Sequence, residues 1–396
     1  MIRMEIFSGK YSIKQIFTHN DNWNNFKSQY NSLIRPAVHY NVEKVFSCKT
    51  DSLGFHQYIC PKCGHTKKVP HTCKSRFCSS CGKIAVDNWA NKSISKFPDL
   101  KYRHIVFTLP EQLRTLCILN RKLMLNALFK LAAYSIISWT KEDKNCIPGI
   151  IAVLHTFGKT LEFNPHIHIV VSCGGLSTDH SKWIPISFFP EKVLKARWKY
   201  NVISFIRSSF KNNNLLLANP LILLKSYSAF NSFLNMLYQR YIWYVHIGKN
   251  LTSLFFTIQY VGRYTKRPVI AETRISNYNG NSVSFWFDDR NLHKKVFVTL
   301  PTEEFIKRII RHIPDKNFKQ VRCFGFFANR VRTNRCNVVL SILNKKFFPP
   351  CNILSWRRRM IQQNAVDPLV CPVCKSGMLF AFAVYPPSIN IRGAPS

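Results

Sequence analysis

The stretch GIIAVLHTFGKTLEFNPHIHIVVSCGG, Gly149 to Gly175, decides how the fold is read. Its two ends, GIIAVLHTFGK and HIHIVVSCGG, read as β-strands, because each is a short apolar run rich in β-branched residues. The loop between them is short, so the strands form an antiparallel pair. His166 and His168 stand two apart on the second strand. Both imidazoles therefore leave one face, while Ile167 leaves the other. Two neutral imidazoles so placed are a platform for a divalent metal ion. Ile169, Val170 and Val171 anchor the strand behind them. The same spelling also describes two histidines held by ordinary hydrogen bonds, so its meaning rests on the rest of the chain.

Working outward, YRHIVFTLP (Tyr102 to Pro110) is a further strand ended by proline. EQLRTLCILNRKLMLNALFKLAAYSIISW is a long helical stretch. WIPISFFPEKVLKARWKYNVISFIRSSFKN and SFLNMLYQRYIWYVHIG read as mostly helical, with aromatic faces. SLFFTIQYVGRYTKRP reads as a helix stopped before Pro268, since the residue ahead of proline avoids the α region. VIAETRISNYNGNSVSFWFDD is a hairpin on Asn279-Gly280, and PTEEFIKRIIRHIP is a helix. Residues 1 to about 47 read as short helices.

Composition narrows the function. The 396 residues are 46% hydrophobic, enough to build a core. Lys and Arg number 57 against 19 acidic residues, a net charge of +38. A compact chain so charged repels itself unless it meets a polyanion, and nucleic acid is the first candidate. There is no basic amphipathic helix with a cleanly apolar face, which argues against a membrane surface. MIRMEIFSGKYSIKQIF has no continuous apolar core of a secretory signal, and no window reaches about 18 apolar residues. A soluble, cytoplasmic protein is expected. In that compartment 14 cysteines point to metal rather than disulfides.

The cysteines concentrate in CPKCGHTKKVPHTCKSRFCSSCG. Cys60-x2-Cys63 and Cys78-x2-Cys81 are two knuckles, each aiming two thiolates at one ion, and together they make a tetrahedral Zn²⁺ site. Cys73 lies between them. A second zinc built from Cys48, His56 and Cys73 is the further possibility. Cys371 and Cys374 form half a site, which either folds back onto another cluster or remains two thiols. Such closed sites hold a DNA-reading module together and do no chemistry.

QYVGRYTKRP places Tyr260 and Tyr264 at i and i+4, on one helix face, among Arg263, Lys266 and Arg267. Tyrosines at this spacing also pack in cores. Beside cations and opposite a metal-bound phosphate, a tyrosyl oxygen can instead act as a nucleophile. A zinc deaminase is excluded, because PHIH lacks its glutamate and the CPxC pieces stand in the wrong places.

In this order the blocks resemble the HUH endonucleases, and within them the rolling-circle insertion-sequence transposases of the IS ninety-one type. The resemblance runs through the cysteine block, HIVFTLP, LHTFGKTLEFNPHIHIVVSCGG, YVGRYTKRPVIAETRI and RHIPDKNFKQVRCFGFFANRVR. It implies an α+β HUH fold, a central antiparallel sheet flanked by helices with the histidines on a middle strand, preceded by a small helical and zinc-ribbon domain. It implies a nickase and ligase of single-stranded DNA at transposon ends and target. His166 and His168 would hold Mg²⁺ or Mn²⁺ on the scissile phosphate, with His155 or Glu162 as third ligand. Tyr260 or Tyr264 would attack, leaving a 5′-phosphotyrosine.

The expected domains are 1–97 for the helical, zinc-binding part, 98–345 for the nuclease, and 346–396 for a basic tail with its CxxC. Arg330, Arg332, Arg335, the WRRRM run, Lys74 and Arg76 are further candidates for single-strand contacts. A replication initiator or relaxase would share this chemistry. A zinc-containing DNA-binding protein without catalysis is the rival of a different class.

Overall fold

The computed structural model describes residues 11–251, 258, 262, 268–289, 292–347 and 355–386. Its strands are β1 (Phe55–Ile59), β2 (Thr66–Pro70), β3 (Tyr102–Thr108), β4 (Cys146–Phe157), β5 (Phe163–Ser177), β6 (Trp183–Pro185), β7 (Tyr244–Leu251), β8 (Ile275–Tyr278), β9 (Ser282–Asp289), β10 (Lys294–Pro301), β11 (Val321–Gly325) and β12 (Leu379–Val384). The architecture is mixed α+β, and every ladder between these strands is antiparallel. Two units share the chain. The first takes residues 1–88, 266–316 and 352–396; the second takes 89–265 and 317–351.

The second unit is built on a six-stranded sheet of order β11-β4-β5-β3-β7, with β6 added on β5. Alternation along each strand sorts side chains to two faces. Ile105 and Phe107 of β3, Ile150, Ala152 and Leu154 of β4, and Ile167, Ile169 and Val171 of β5 go to one side. There they meet the helices Arg121–Lys144, Glu191–Lys211 and Tyr227–Arg240, with Leu128, Trp198 and Phe230 closing the core. The other side takes Tyr102, Ile151, Val153 and Val170, which pack on Phe326, Phe327, Cys336 and Val339. Ile258 belongs to this second cluster and is 1% exposed.

Helix Arg121–Lys144 ends on Asn145, whose left-handed φ of 48° suits a C-terminal cap. By length and composition it could cross a membrane, but most of it is buried in this core. Gly325 closes β11 on β4 with φ +61°, and a Cβ there would stand 1.7 Å from the Pro148 carbonyl oxygen. Only glycine fits.

One expectation is corrected. The stretch ending in YIWYVHIG is not helical to its end: the helix stops at Arg240, and Tyr244–Leu251 is strand β7. The cause is tertiary. The free edge of β3 pairs Val245 with Phe107 and Ile247 with Ile105, and both apolar side chains of β7 then reach the helix-covered core. From SLFFTIQYVGRYTKRP the structure describes Ile258 and Gly262, both helical.

The first unit joins three segments. Helices Ile13–Thr18, Asn22–Tyr30 and Pro36–Phe46 precede the sheet β12-β1-β2, and β10-β9-β8 forms a second three-stranded sheet. Asn279 and Gly280 turn β8 into β9, and helix Thr302–Arg311 buries Phe305, Ile306, Ile309 and Ile310. Tyr278 ties this meander to the N-terminal helices: its hydroxyl lies 3.0 Å from His19 Nδ1 and accepts from Asn22 Nδ2 at 2.9 Å.

Ile169 is fully buried at the centre of the large sheet. Ile169→Ala removes three carbons from a site that cannot collapse, and is expected to cost about 2–5 kcal/mol. Urea denaturation followed by tryptophan fluorescence reads the loss; an unchanged midpoint contradicts the placement.

Candidate active site and cysteine sites

The register of β4 on β5 assembles the histidines. His155 stands directly opposite His166, and Val153 opposite His168. All three imidazoles leave the face of Val153 and Val170, away from the helix-covered core. Ring centroids are 4.0 Å apart for His155 and His168, 4.9 Å for His166 and His168, and 5.2 Å for His155 and His166. One nitrogen from each ring lies within 4.8 Å of the others. His155, not Glu162, completes this group among the described residues.

Hydrogen bonds select which nitrogens face the common centre. His166 Nδ1 donates to the Asn164 carbonyl at 2.7 Å, leaving the Nε2 lone pair. His168 Nδ1 lies 2.8 Å from Nε2 of His104, and the two rings stack 5.0 Å apart. The tautomer that offers His168 Nε2 as a ligand is the one whose Nδ1–H donates to His104. His104 is placed to fix the His168 ring without joining the group, the arrangement usual around metal-bound histidines.

The sequence reading missed this residue. The signal was present: alternation in YRHIVFTLP puts His104 on the face of Tyr102 and Val106, and β3 pairs with β5. Burial first, then neighbouring imidazoles, hold His155 and His168 well below 6.5. Burial, then Arg114, lowers His166. Burial first, then His246 and His166, holds His104 at about 4. Three neutral imidazole nitrogens in this geometry could hold a divalent metal ion.

A cleft of about 360 Å³ opens at the same end of the sheet, lined by Thr108, Glu111, Arg114, Asn164, Tyr241 and Tyr244 among others. Thr108 pairs with His166 across β3 and β5, and Asn164 carries the carbonyl that holds His166. Arg114 Nε and Asn164 Oδ1 are buried and have no hydrogen-bond partner among the described residues. Such groups are costly unless a ligand satisfies them.

In the first unit the cysteines sort differently from the expected pairing of the two knuckles. Cys48, Cys73, Cys78 and Cys81 form one buried group, and Cys60, Cys63, Cys371 and Cys374 form another. Geometry explains the split. Cys60 and Cys63 sit at the tip of the β1–β2 hairpin, and Cys48 and Cys73 at its base. Five residues of strand span about 16 Å, too far for one ion. Sγ atoms in the first group are 3.6–3.7 Å apart, close to the edge of about 3.8 Å that four Zn–S bonds of about 2.3 Å require. Hydrogen bonds from Cys73, then from Cys78, pull the Cys81 thiol down to about 2. His56 is not part of either group; it packs edge-on to His71 and Phe380.

Tyr260, Tyr264, Arg263, Lys266 and Arg267 lie outside the described residues. Arg330 is exposed. Arg332 donates to Asn329 at 3.0 Å and lies over the Phe97 ring. Arg357 of WRRRM forms a forked ion pair with Asp367, and Arg76 is largely buried, which lowers its pKa.

Comparison with known proteins supplies the class. Residues 18–109 match the family model of a transposase zinc-binding domain, and residues 149–335 that of a putative transposase. The chain is 32% identical over 375 residues to the transposase for insertion sequence element IS801 of Pseudomonas savastanoi pv. phaseolicola, covering 94% of this chain and 90% of that protein. It is 28% identical over 369 residues to the putative transposase y4qJ of Sinorhizobium fredii (strain NBRC 101917 / NGR234), covering 91% and 92%. No solved structure matches. The protein is a transposase with a zinc-binding domain. It belongs to the IS91 family of insertion-sequence transposases.

Two outcomes follow. His104→Ala should weaken Mn²⁺ binding about 10- to 100-fold, and His104→Gln, which restores an acceptor, should recover part of it; calorimetric affinities equal to wild type for the alanine variant contradict the orienting role. Burial also moves proton competition to acid. Mn²⁺ affinity should stay level down to pH 6.5, the ordinary histidine value, and fall only below it. A steep loss beginning above neutrality contradicts the depressed pKa values.

Proposed function

We propose that this transposase is an HUH-type tyrosine nuclease and strand transferase, which nicks and rejoins single-stranded DNA during rolling-circle transposition. The observation that carries the reading is the set of three neutral imidazoles on one face of the middle strand pair, beside a cleft with Arg114. A bound Mg²⁺ or Mn²⁺ would polarise the scissile phosphate and favour departure of the 3′-oxygen. His155, His166 and His168 would hold that ion, and His104 would keep His168 in its ligating tautomer.

The nucleophile is Tyr260 or Tyr264. Its phenol loses a proton, its oxygen bonds to phosphorus, and the bond from phosphorus to the 3′-oxygen breaks, the departing oxygen taking up a proton. The products are a 5′-phosphotyrosine and a 3′-hydroxyl. A second tyrosine would let two covalent links alternate as strands exchange. Ile258, two residues before Tyr260, is buried in the cluster on the histidine face, which supports this assignment.

Arg263, Lys266 and Arg267 would steady the phosphate, with Arg330 and Arg332 on the strand beyond. Residues 1–97 would recognise DNA and 98–345 carry the chemistry, in the cytoplasm and at the nucleoid of a bacterial cell. The net charge of +38 fits a polyanionic partner.

The test uses labelled single-stranded DNA from the element's ends, with Mg²⁺. A covalent adduct on a denaturing gel is expected, lost with Tyr260→Phe and Tyr264→Phe combined. His166→Ala should cut cleavage by on the order of 1,000-fold and leave DNA binding intact. No adduct on any end sequence returns the chain to a non-nucleolytic DNA-binding role. Cleavage unchanged in the double tyrosine variant overturns the nucleophile.

A further inference from the structure

We propose that Cys60, Cys63, Cys371 and Cys374 form a second structural zinc site, a clasp between the two ends of the chain that makes the C-terminal segment part of the zinc-binding unit. The zinc-binding family model stops at residue 109 and does not reach Cys371 or Cys374.

Two matching knuckles face each other. In CPKCGH the Cys60 amide donates to the His65 carbonyl at 2.8 Å, and the Gly64 amide to the Cys60 carbonyl at 2.9 Å. In CPVCKS the Cys371 amide donates to the Ser376 carbonyl at 2.8 Å, and the Lys375 amide to the Cys371 carbonyl at 3.0 Å. The residue after each second cysteine is left-handed, Gly64 at φ 72° and Lys375 at φ 61°. Lysine rarely adopts that conformation, so its backbone here is held to the shape of the turn. Sγ of Cys60 lies 3.4 Å from that of Cys374, and Sγ of Cys63 3.6 Å from that of Cys371. A disulfide needs about 2.05 Å; a tetrahedral Zn²⁺ with four thiolates needs about 3.8 Å. Four sulfur donors without oxygen or nitrogen select zinc over the hard divalent ions.

The surroundings are built for the clasp. β12 pairs with β1 from Phe55↔Val384 to Ile59↔Leu379. Gly54 makes this possible: its φ is +79°, and a Cβ would stand 2.1 Å from the Val384 carbonyl oxygen. Lys67 Nζ donates to the Pro368 carbonyl at 2.7 Å. Met378 and Tyr58 pack on Cys60 and Cys371, which are 1% and 0% exposed. By the chain-entropy argument, linking segments about 300 residues apart constrains the unfolded chain strongly, and a metal clip acts as a disulfide would.

The experiment counts metal in the full-length protein by elemental analysis. Two zinc ions per chain are expected in wild type and one in Cys371→Ser/Cys374→Ser. One ion in wild type, two in the variant, or disulfides among these four cysteines by mass spectrometry each overturn the proposal. Should the double variant misfold, Cys374→His keeps a ligand. With Co²⁺ in place of zinc, its visible ligand-field bands should shift toward a three-sulfur, one-nitrogen site. Unchanged bands show that residue 374 is not a ligand and overturn the clasp.

Discussion

The pairing of β4 with β5 is the constraint on which the histidine group depends. His155 opposes His166 only in the observed register. A slip of one residue would turn His155 into the helix-covered core and bring Leu154 or Thr156 to the histidine face. The register is held by what lies behind it: Ile150, Ala152 and Leu154 alternate with Ile151 and Val153, and each set has its own apolar partners. The clustering of the three histidines is therefore a by-product of hydrophobic sorting across a sheet covered on both faces. The proposed chemistry would need three imidazoles that stay neutral and fixed, and burial in that sheet favours both.

A similar argument of lengths governs the cysteines. A hairpin of two five-residue strands separates its tip from its base, so one cysteine block serves two centres. The base group closes with Cys78 and Cys81 at the start of helix Ser79–Ile94. The tip group finds its partners more than 300 residues later in the chain. Each group brings four sulfurs and no other donor among the described residues, a set that suits a structural rather than a catalytic zinc.

Much of the second unit was legible in the sequence, because its signals are local. Short apolar runs rich in β-branched residues marked β4 and β5, a run ended by proline marked β3, the short loop between β4 and β5 implied their antiparallel pairing, and Asn279-Gly280 marked the turn from β8 to β9. What was not legible depended on distant partners. YVHI became β7 because β3 had a free edge, which no window around residue 245 reveals. His104 meets His168 from a strand 64 residues away. The cysteine spacing suggested one site from two neighbouring knuckles; only the length of the hairpin, and the return of β12, shows why the knuckles part. The resemblance to transposases of the IS ninety-one type rested on ordered motifs, and family membership agrees with it.

The central claim is that three histidine nitrogens of one sheet face bind one divalent ion. Electron spin-echo modulation of Mn²⁺-loaded protein, with histidine labelled by ¹⁵N, tests it directly. The account predicts couplings from several imidazole nitrogens, reduced in number by His155→Ala. A spectrum with no directly bound imidazole nitrogen, or one that His155→Ala leaves unchanged, would contradict it.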